Sequence, residues 1–206
     1  MLSADLIVNL QDQETHAGHN AAEAVSQMIG SEWLDSVRRQ HCANFDLWHI
    51  EDEARAPGAT DAELAGVKRR VDKANQLRND LAEGLDRALL AWLELKGLPN
   101  LAAPLHSETP GLMIDRLSIL SLKIYHTREE AERADAPPGH SQRNLDRLEI
   151  LEEQRRDLAA CLDALWCDTL AGTRRFKLYR QLKMYNDPSL NPAIYRDIAQ
   201  AKVAHK

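Results

Sequence analysis

Apolar positions recur along the chain at three- and four-residue steps, and no segment alternates strictly over strand length. The clearest run is Leu64, Val67, Val71, Ala74, Leu77, Leu81, Leu85, Ala88, Trp92 and Leu95. It predicts one helix over 61–96, started at Thr60 and Asp61 and stopped by Gly97 and Pro99. At 1.5 Å per residue this is a rod of roughly 50 Å. A partner of similar length is predicted at 141–171, where Leu145, Leu148, Leu151, Leu158, Leu162, Leu165 and Trp166 mark one face and Gly172 ends the run. Between the rods, 110–134 begins with Thr109 as cap and Pro110 at the first helical position. That segment is apolar nearly all round, which predicts burial. A shorter helix over 43–55 stops at "APGAT", and a weaker one over 20–40 turns Ala21, Val25, Met28 and Ile29, then Trp33, Leu34 and Val37, inward.

These elements predict an all-α fold, an antiparallel helical bundle with two long helices. Residues 1–42 form an N-terminal helical segment, 43–172 the bundle core, and 173–206 a basic-aromatic C-terminal helical tail packed on it. The tail carries Arg174, Arg175, Lys177, Arg180 and Lys183, interleaved with Phe176, Tyr179 and Tyr185. It reads as a solvated amphipathic helix, a surface for an anionic partner, or a lid over an acidic bundle.

Charge narrows the partners. A net charge of −6 argues against a general nucleic-acid coat. No window approaches the ~18 apolar residues of a membrane span. Residues 1–16 carry neither an early basic cluster nor a long apolar run, so no signal peptide is expected. Cys42, Cys161 and Cys167 show no metal-knuckle spacing and read as reduced thiols, with Cys161 on an apolar helix side. A cytoplasmic protein is expected. The apolar length of the two rods also points to a homodimer, since the shorter helices cannot cover it.

Candidate chemistry lies in three places. On the helix "NFDLWHIEDEAR" (44–55), Asn44, Trp48, Asp52 and Arg55 share a face, with His49 and Glu53 beside them. Two readings stay open there: an interhelical polar cluster, or a solvated face with an ordinary Glu51–Arg55 ion pair. The long helix has a polar stripe including Asn75, Asn79, Glu83 and Asp86, with Asp80 about one turn before the Glu83-x-x-Asp86 pair. The apolar 110–126 segment nevertheless carries Asp115, Arg116, Ser118, Ser121, Lys123 and His126. Charges buried there need partners, and Asp115 is expected to pair with Arg55 or Arg78. The candidate binding cluster is therefore Trp48, His49, Asp52, Arg55, Asn79, Glu83, Asp115 and Arg116. His16-x-x-His19 is a weak metal match.

The blocks "NFDLWHIEDEAR", "NQLRND", "ETPGLMIDRLSILSLKIYH", "ILEEQRRDL" and "YRQLKMYNDPSLNP" together resemble, in matching order, the bacterial domain-of-unknown-function 4254 family. The resemblance implies an all-α bacterial protein and points to surface-polysaccharide assembly as its setting. It supplies no catalytic residues.

Two functional readings follow. The first is a binding or accessory module, its charged groups mostly structural, with no metal or cofactor and with an anionic small molecule or a protein as partner. The second is a divalent-metal-dependent enzyme acting on a phosphorylated or nucleotide-sugar substrate. There Asp52, Glu53, Asp80 and Glu83, with Asn79, would hold Mg2+ or Mn2+, and Arg55, Arg116 or Lys183 would meet the phosphate. The first is preferred, because the carboxylate spacing is generic and no nucleophile is defined.

Overall fold

The computed structural model describes residues 2–20, 32–182 and 189–192. Among the described residues five helices form: α1 (Ala4–His19), α2 (Glu32–Glu53), α3 (Asp61–Glu94), α4 (Pro110–Glu132) and α5 (His140–Leu170). No strand forms among the described residues, only a single parallel bridge between Leu105 and Arg175. No described helix is long and apolar enough to cross a membrane.

Local chemistry sets the helix ends. Thr60 and Glu63 form a reciprocal capping box at α3. Thr109 accepts from the Leu112 N–H with Pro110 at the first helical position of α4. Gly97 and Gly172, at φ 70° and 73°, turn the chain out of α3 and α5.

The packing order differs from the expected one. The long helix α3 pairs chiefly with α2, and α5 pairs with α4. The expected side-by-side pairing of α3 with α5 does not occur, because α4 stands in the middle and packs against all four other helices. Being apolar nearly all round, α4 can satisfy neighbours on every side: Met113, Ile114, Leu117, Leu122 and Ile124 are all buried. Pairing within each hairpin is antiparallel. Arg128 of α4 meets Glu152 of α5, whereas Met113, nearer the start of α4, borders the same cleft as Cys161.

Three further expectations are corrected. The separate helices at 20–40 and 43–55 are, over the described residues, one continuous helix Glu32–Glu53; 21–31 lie outside the description. The buried stripe of α3 drifts off the expected line after Val67, onto Ala82, Leu85, Asp86, Leu89 and Leu93, leaving Leu77 and Leu95 exposed. Cys161 is exposed as well. Within the N-terminal segment, residues 4–19 form α1, buried along Ala4, Ile7, Gln11 and Thr15. Its first N–H is taken by Asp163 of α5 at 2.9 Å, and Arg155 grips Asp12 at 2.8 Å.

The tail begins by packing. Phe176 is 1% exposed within the core, and Arg175 exchanges backbone hydrogen bonds with Pro104 and His106. Residues 173–182 run extended, not helical; 183–188 and 193–206 lie outside the description.

Candidate functional site

The eight-residue cluster expected from sequence divides in the fold. Asp115 is its buried centre. The carboxylate accepts from Gln40 at 2.6 Å, Asn44 at 3.0 Å, and Arg78 Nε and NH2 at 2.7 and 2.5 Å. Of the two arginines considered as its partner, Arg78 is the one that binds it. Arg116, one residue on and so about 100° round the helix, points away and pairs with Glu108 at 2.8 Å. Arg55 pairs with Glu51, and Asp52 is exposed; with Trp48 and Arg78 they border a cleft of about 350 Å3. Glu83 accepts from the Gln181 N–H of the tail. Asn79 is half-buried on α3.

The alternative metal set does not converge. Glu53 is held by Arg70 at 2.5 and 2.9 Å, near the start of α3. Asp80 and Glu83 lie ten and thirteen residues farther along that rod, roughly 15–20 Å away. Asp80 accepts from Gln76.

From Asp115 a buried chain of hydrogen bonds crosses to α1. Asn44 also donates to Ser118 Oγ at 3.0 Å, Ser118 meets His41 Nδ1 at 2.8 Å, and His41 Nε2 meets Thr15 Oγ1 at 3.0 Å. The Thr15 hydroxyl donates to the Gln11 carbonyl, so it must accept from His41 Nε2–H. His41 Nδ1 is then the acceptor of the Ser118 proton, and the ring is neutral. Burial agrees, pushing the His41 pKa down to about 4. The folded pKa lies below the unfolded value near 6.5, so the unfolded state takes up the proton first. Stability is then full above that pH and is lost as pH falls towards 4, by up to about 3 kcal/mol. Urea unfolding should show wild type losing about that much relative to His41→Gln between neutral pH and about pH 4; a pH-independent gap would refute the assignment.

The second half of the cluster opens onto a seam between α1, α2 and α4. Gly18 makes the seam tight: a Cβ there would stand 2.7 Å from the Phe45 ring. Phe45 in turn lies 4.8 Å from His19 and 4.4 Å from His49, centroid to centroid. Trp48 turns inward and stacks on His126 at 4.9 Å and 7°. Tyr125 stacks on His19 at 4.4 Å. His49 thus contacts α4 through His126, while its companions Asp52 and Arg55 make no hydrogen bond to α3 or α4.

Three imidazoles converge here. A ring nitrogen from each of His19, His49 and His126 lies within 4.8 Å of the others, the one such metal-capable group among the described residues. Each ring offers its Nδ1 to an oxygen: His19 to Thr15 O at 2.7 Å, His49 to Phe45 O at 2.9 Å, His126 to Glu129 Oε2 at 3.0 Å. Burial holds the His126 pKa below the usual imidazole value, against the pull of Glu129. Beside the seam, a cleft of about 570 Å3 is lined by Asp12, Asn20, Ser121, Tyr125, Arg128 and Glu129, among others. The buried Ser121 hydroxyl on its wall has no hydrogen-bond partner.

Sequence reasoning named His49 but kept His19, His126, Tyr125 and Ser121 out of the cluster. The three histidines sit on three helices, so no spacing in the sequence connects them. The usable signals were the weak His16-x-x-His19 match, the polar residues His126 and Ser121 on an apolar helix, and Gly18 beside His19, a small residue where two helices meet.

The fold and site define a five-helix bundle with an imidazole-lined seam on its central helix. The chain belongs to the family described as protein of unknown function (DUF4254), whose model matches residues 34–178. That span holds His49 and His126 and leaves out α1, which carries His19. No curated protein and no solved structure matches the chain.

Proposed function

We propose that this protein is a binding module for a hydroxyl-rich, sugar-class ligand held in the cleft between α1 and α4, acting as an accessory to surface-polysaccharide assembly in the bacterial cytoplasm. The observation that carries the reading is the lining itself. An aromatic ring, Tyr125, stands among acceptors and donors of both kinds, including the unpartnered Ser121 hydroxyl. Small-molecule sites have this character, with volumes of about 300–1,000 Å3. Asp12, Glu129 and Glu132 outnumber Arg128 there, which favours sugar hydroxyls as donors over the anionic ligand expected from sequence. Arg128 is also engaged by Glu152, and Asp12 by Arg155. The unpaired thiols suit a reducing compartment. A homodimer belongs to the same proposal, supported by the exposed Leu77 of α3 and Leu95 at its C-terminal cap; light scattering showing a monomer at high protein concentration removes it.

Saturation-transfer NMR on the full chain, with neutral mono- and disaccharides beside nucleotide sugars and inorganic phosphate, tests the ligand class. Neutral sugars should bind, and Tyr125→Phe, which keeps the ring and loses the hydroxyl, should weaken them by about 10-fold, the cost of one lost hydrogen bond of roughly 1.4 kcal/mol. Binding of phosphate or nucleotide sugars alone, or sugar binding untouched by Tyr125→Phe and Asn20→Ala, would sink the proposal.

A further inference from the structure

We propose that His19, His49 and His126 bind a divalent transition-metal ion of the zinc type, each through Nε2, with the fourth coordination position open to solvent or ligand. Histidine ligands in metal sites give their second nitrogen to a backbone carbonyl or a carboxylate, which fixes the tautomer and aims the lone pair. All three rings here meet that condition through Thr15 O, Phe45 O and Glu129. With Nδ1–H spent as donor, Nε2 is an acceptor on each ring. In His19 and His126 that nitrogen is buried and has no hydrogen-bond partner. A buried acceptor left unpaired is costly. Two such acceptors, with a third imidazole nitrogen within 4.8 Å, suit an electron-pair acceptor held among the three rings.

The geometry is close to that of a bound ion. Zinc–nitrogen bonds of about 2.0–2.1 Å in a tetrahedron separate ligand nitrogens by about 3.3 Å. The nitrogens already lie within 4.8 Å, so closing the site takes at most about 1.5 Å of ring movement. Imidazole nitrogens select zinc, copper, nickel or cobalt over magnesium and calcium, which prefer oxygen. The aromatic walls, Trp48 on His126 and Tyr125 on His19, limit ring rotation and keep the three nitrogens aimed inward. Three helices would be clasped by the ion, and two neighbours of the rings, Tyr125 against His19 and Glu129 on His126 Nδ1, also border the α1–α4 cleft. The site needs the three rings and not the cleft's occupant, so it stands apart from the sugar-class reading.

Calorimetric titration of the full chain, first stripped by a chelator, with Zn2+ alone should show one equivalent bound. His19→Gln, His49→Gln and His126→Gln should each weaken binding by at least about 100-fold. His106→Gln and His140→Gln, outside the seam, should leave it unchanged. A ring variant that misfolds would also lose binding, so Co2+ added to the unaltered chain gives a second readout: intense visible bands for a tetrahedral nitrogen site, weak ones for the hydrated ion. No stoichiometric Zn2+ binding, binding that survives all three ring variants, or the hydrated-ion Co2+ spectrum overturns the proposal.

Discussion

Asp115→Ala is expected to cost the fold about 3–5 kcal/mol, the range for removing one partner of a buried ion pair. The carboxylate is 6% exposed and collects four hydrogen bonds from three side chains on two other helices. Truncation leaves the Arg78 guanidinium partly buried without its anion, and strands the Gln40 and Asn44 amides in the interior. Asn44 would keep its bond to Ser118, so the rest of the chain to His41 and Thr15 survives. The double variant Asp115→Leu with Arg78→Met should recover much of the loss, because an apolar pair of similar volume carries no desolvation cost. Urea denaturation checks both. A loss below about 1 kcal/mol for Asp115→Ala would show the pair to be no more than a surface salt bridge.

Gly111→Ala should destabilise by about 3 kcal/mol, the upper end for overpacking, although it adds only a methyl group. A Cβ at that position would stand 2.3 Å from the Ala82 carbonyl oxygen and 2.9 Å from the Asp86 carboxyl. The first obstacle is helix backbone and cannot swing aside. α4 would have to withdraw from α3, breaking the bonds by which Asp86 accepts from Gly111 N at 2.7 Å and Thr109 Oγ1 at 2.5 Å. Those bonds tie a carboxylate to the N-terminus of α4, where the helix dipole favours negative charge. Burial nonetheless pushes the Asp86 pKa up to about 6, so losing its donors leaves the group worse placed still. Gly66→Ala, in the second turn of α3, is the internal contrast. Nothing lies within 4 Å of its Cβ, so it should stabilise by about 0.5–1 kcal/mol through helix propensity. Thermal unfolding that moved both variants in the same direction would contradict this account.

Helices that announce themselves by apolar period or capping chemistry were legible in the sequence. α3, α4 and α5 fall within two residues of the expected bounds at every end, because Thr60, Thr109 and the glycines after α3 and α5 act locally. Which helix packs on which was not legible. The expected partnership of α3 with α5 rested on length, whereas the fold follows α4, whose all-round apolar surface takes the centre. α1 had no bounds of its own within the helical segment expected over 1–42, because two of its four buried positions are Gln11 and Thr15, whose burial is justified only by partners distant in sequence, Ile114 and His41. The same reason divides the candidate site. Arg78 and Asp115 are opposite charges, so their pairing could be expected from chemistry alone. Three imidazoles carry no such complementarity in a sequence; only the crossing of α1, α2 and α4 at Gly18 and Phe45 brings them together.

The seam between α1, α2 and α4 is the centre of this functional account, and a crystal structure of the full chain grown with Zn2+, with diffraction recorded on both sides of the zinc absorption edge, tests it most directly. One strong anomalous peak is expected among His19, His49 and His126, within about 2.0–2.1 Å of a nitrogen from each ring. A peak elsewhere, at surface carboxylates such as Glu53 or Asp80, or no peak with the three rings still turned towards one another, would contradict it.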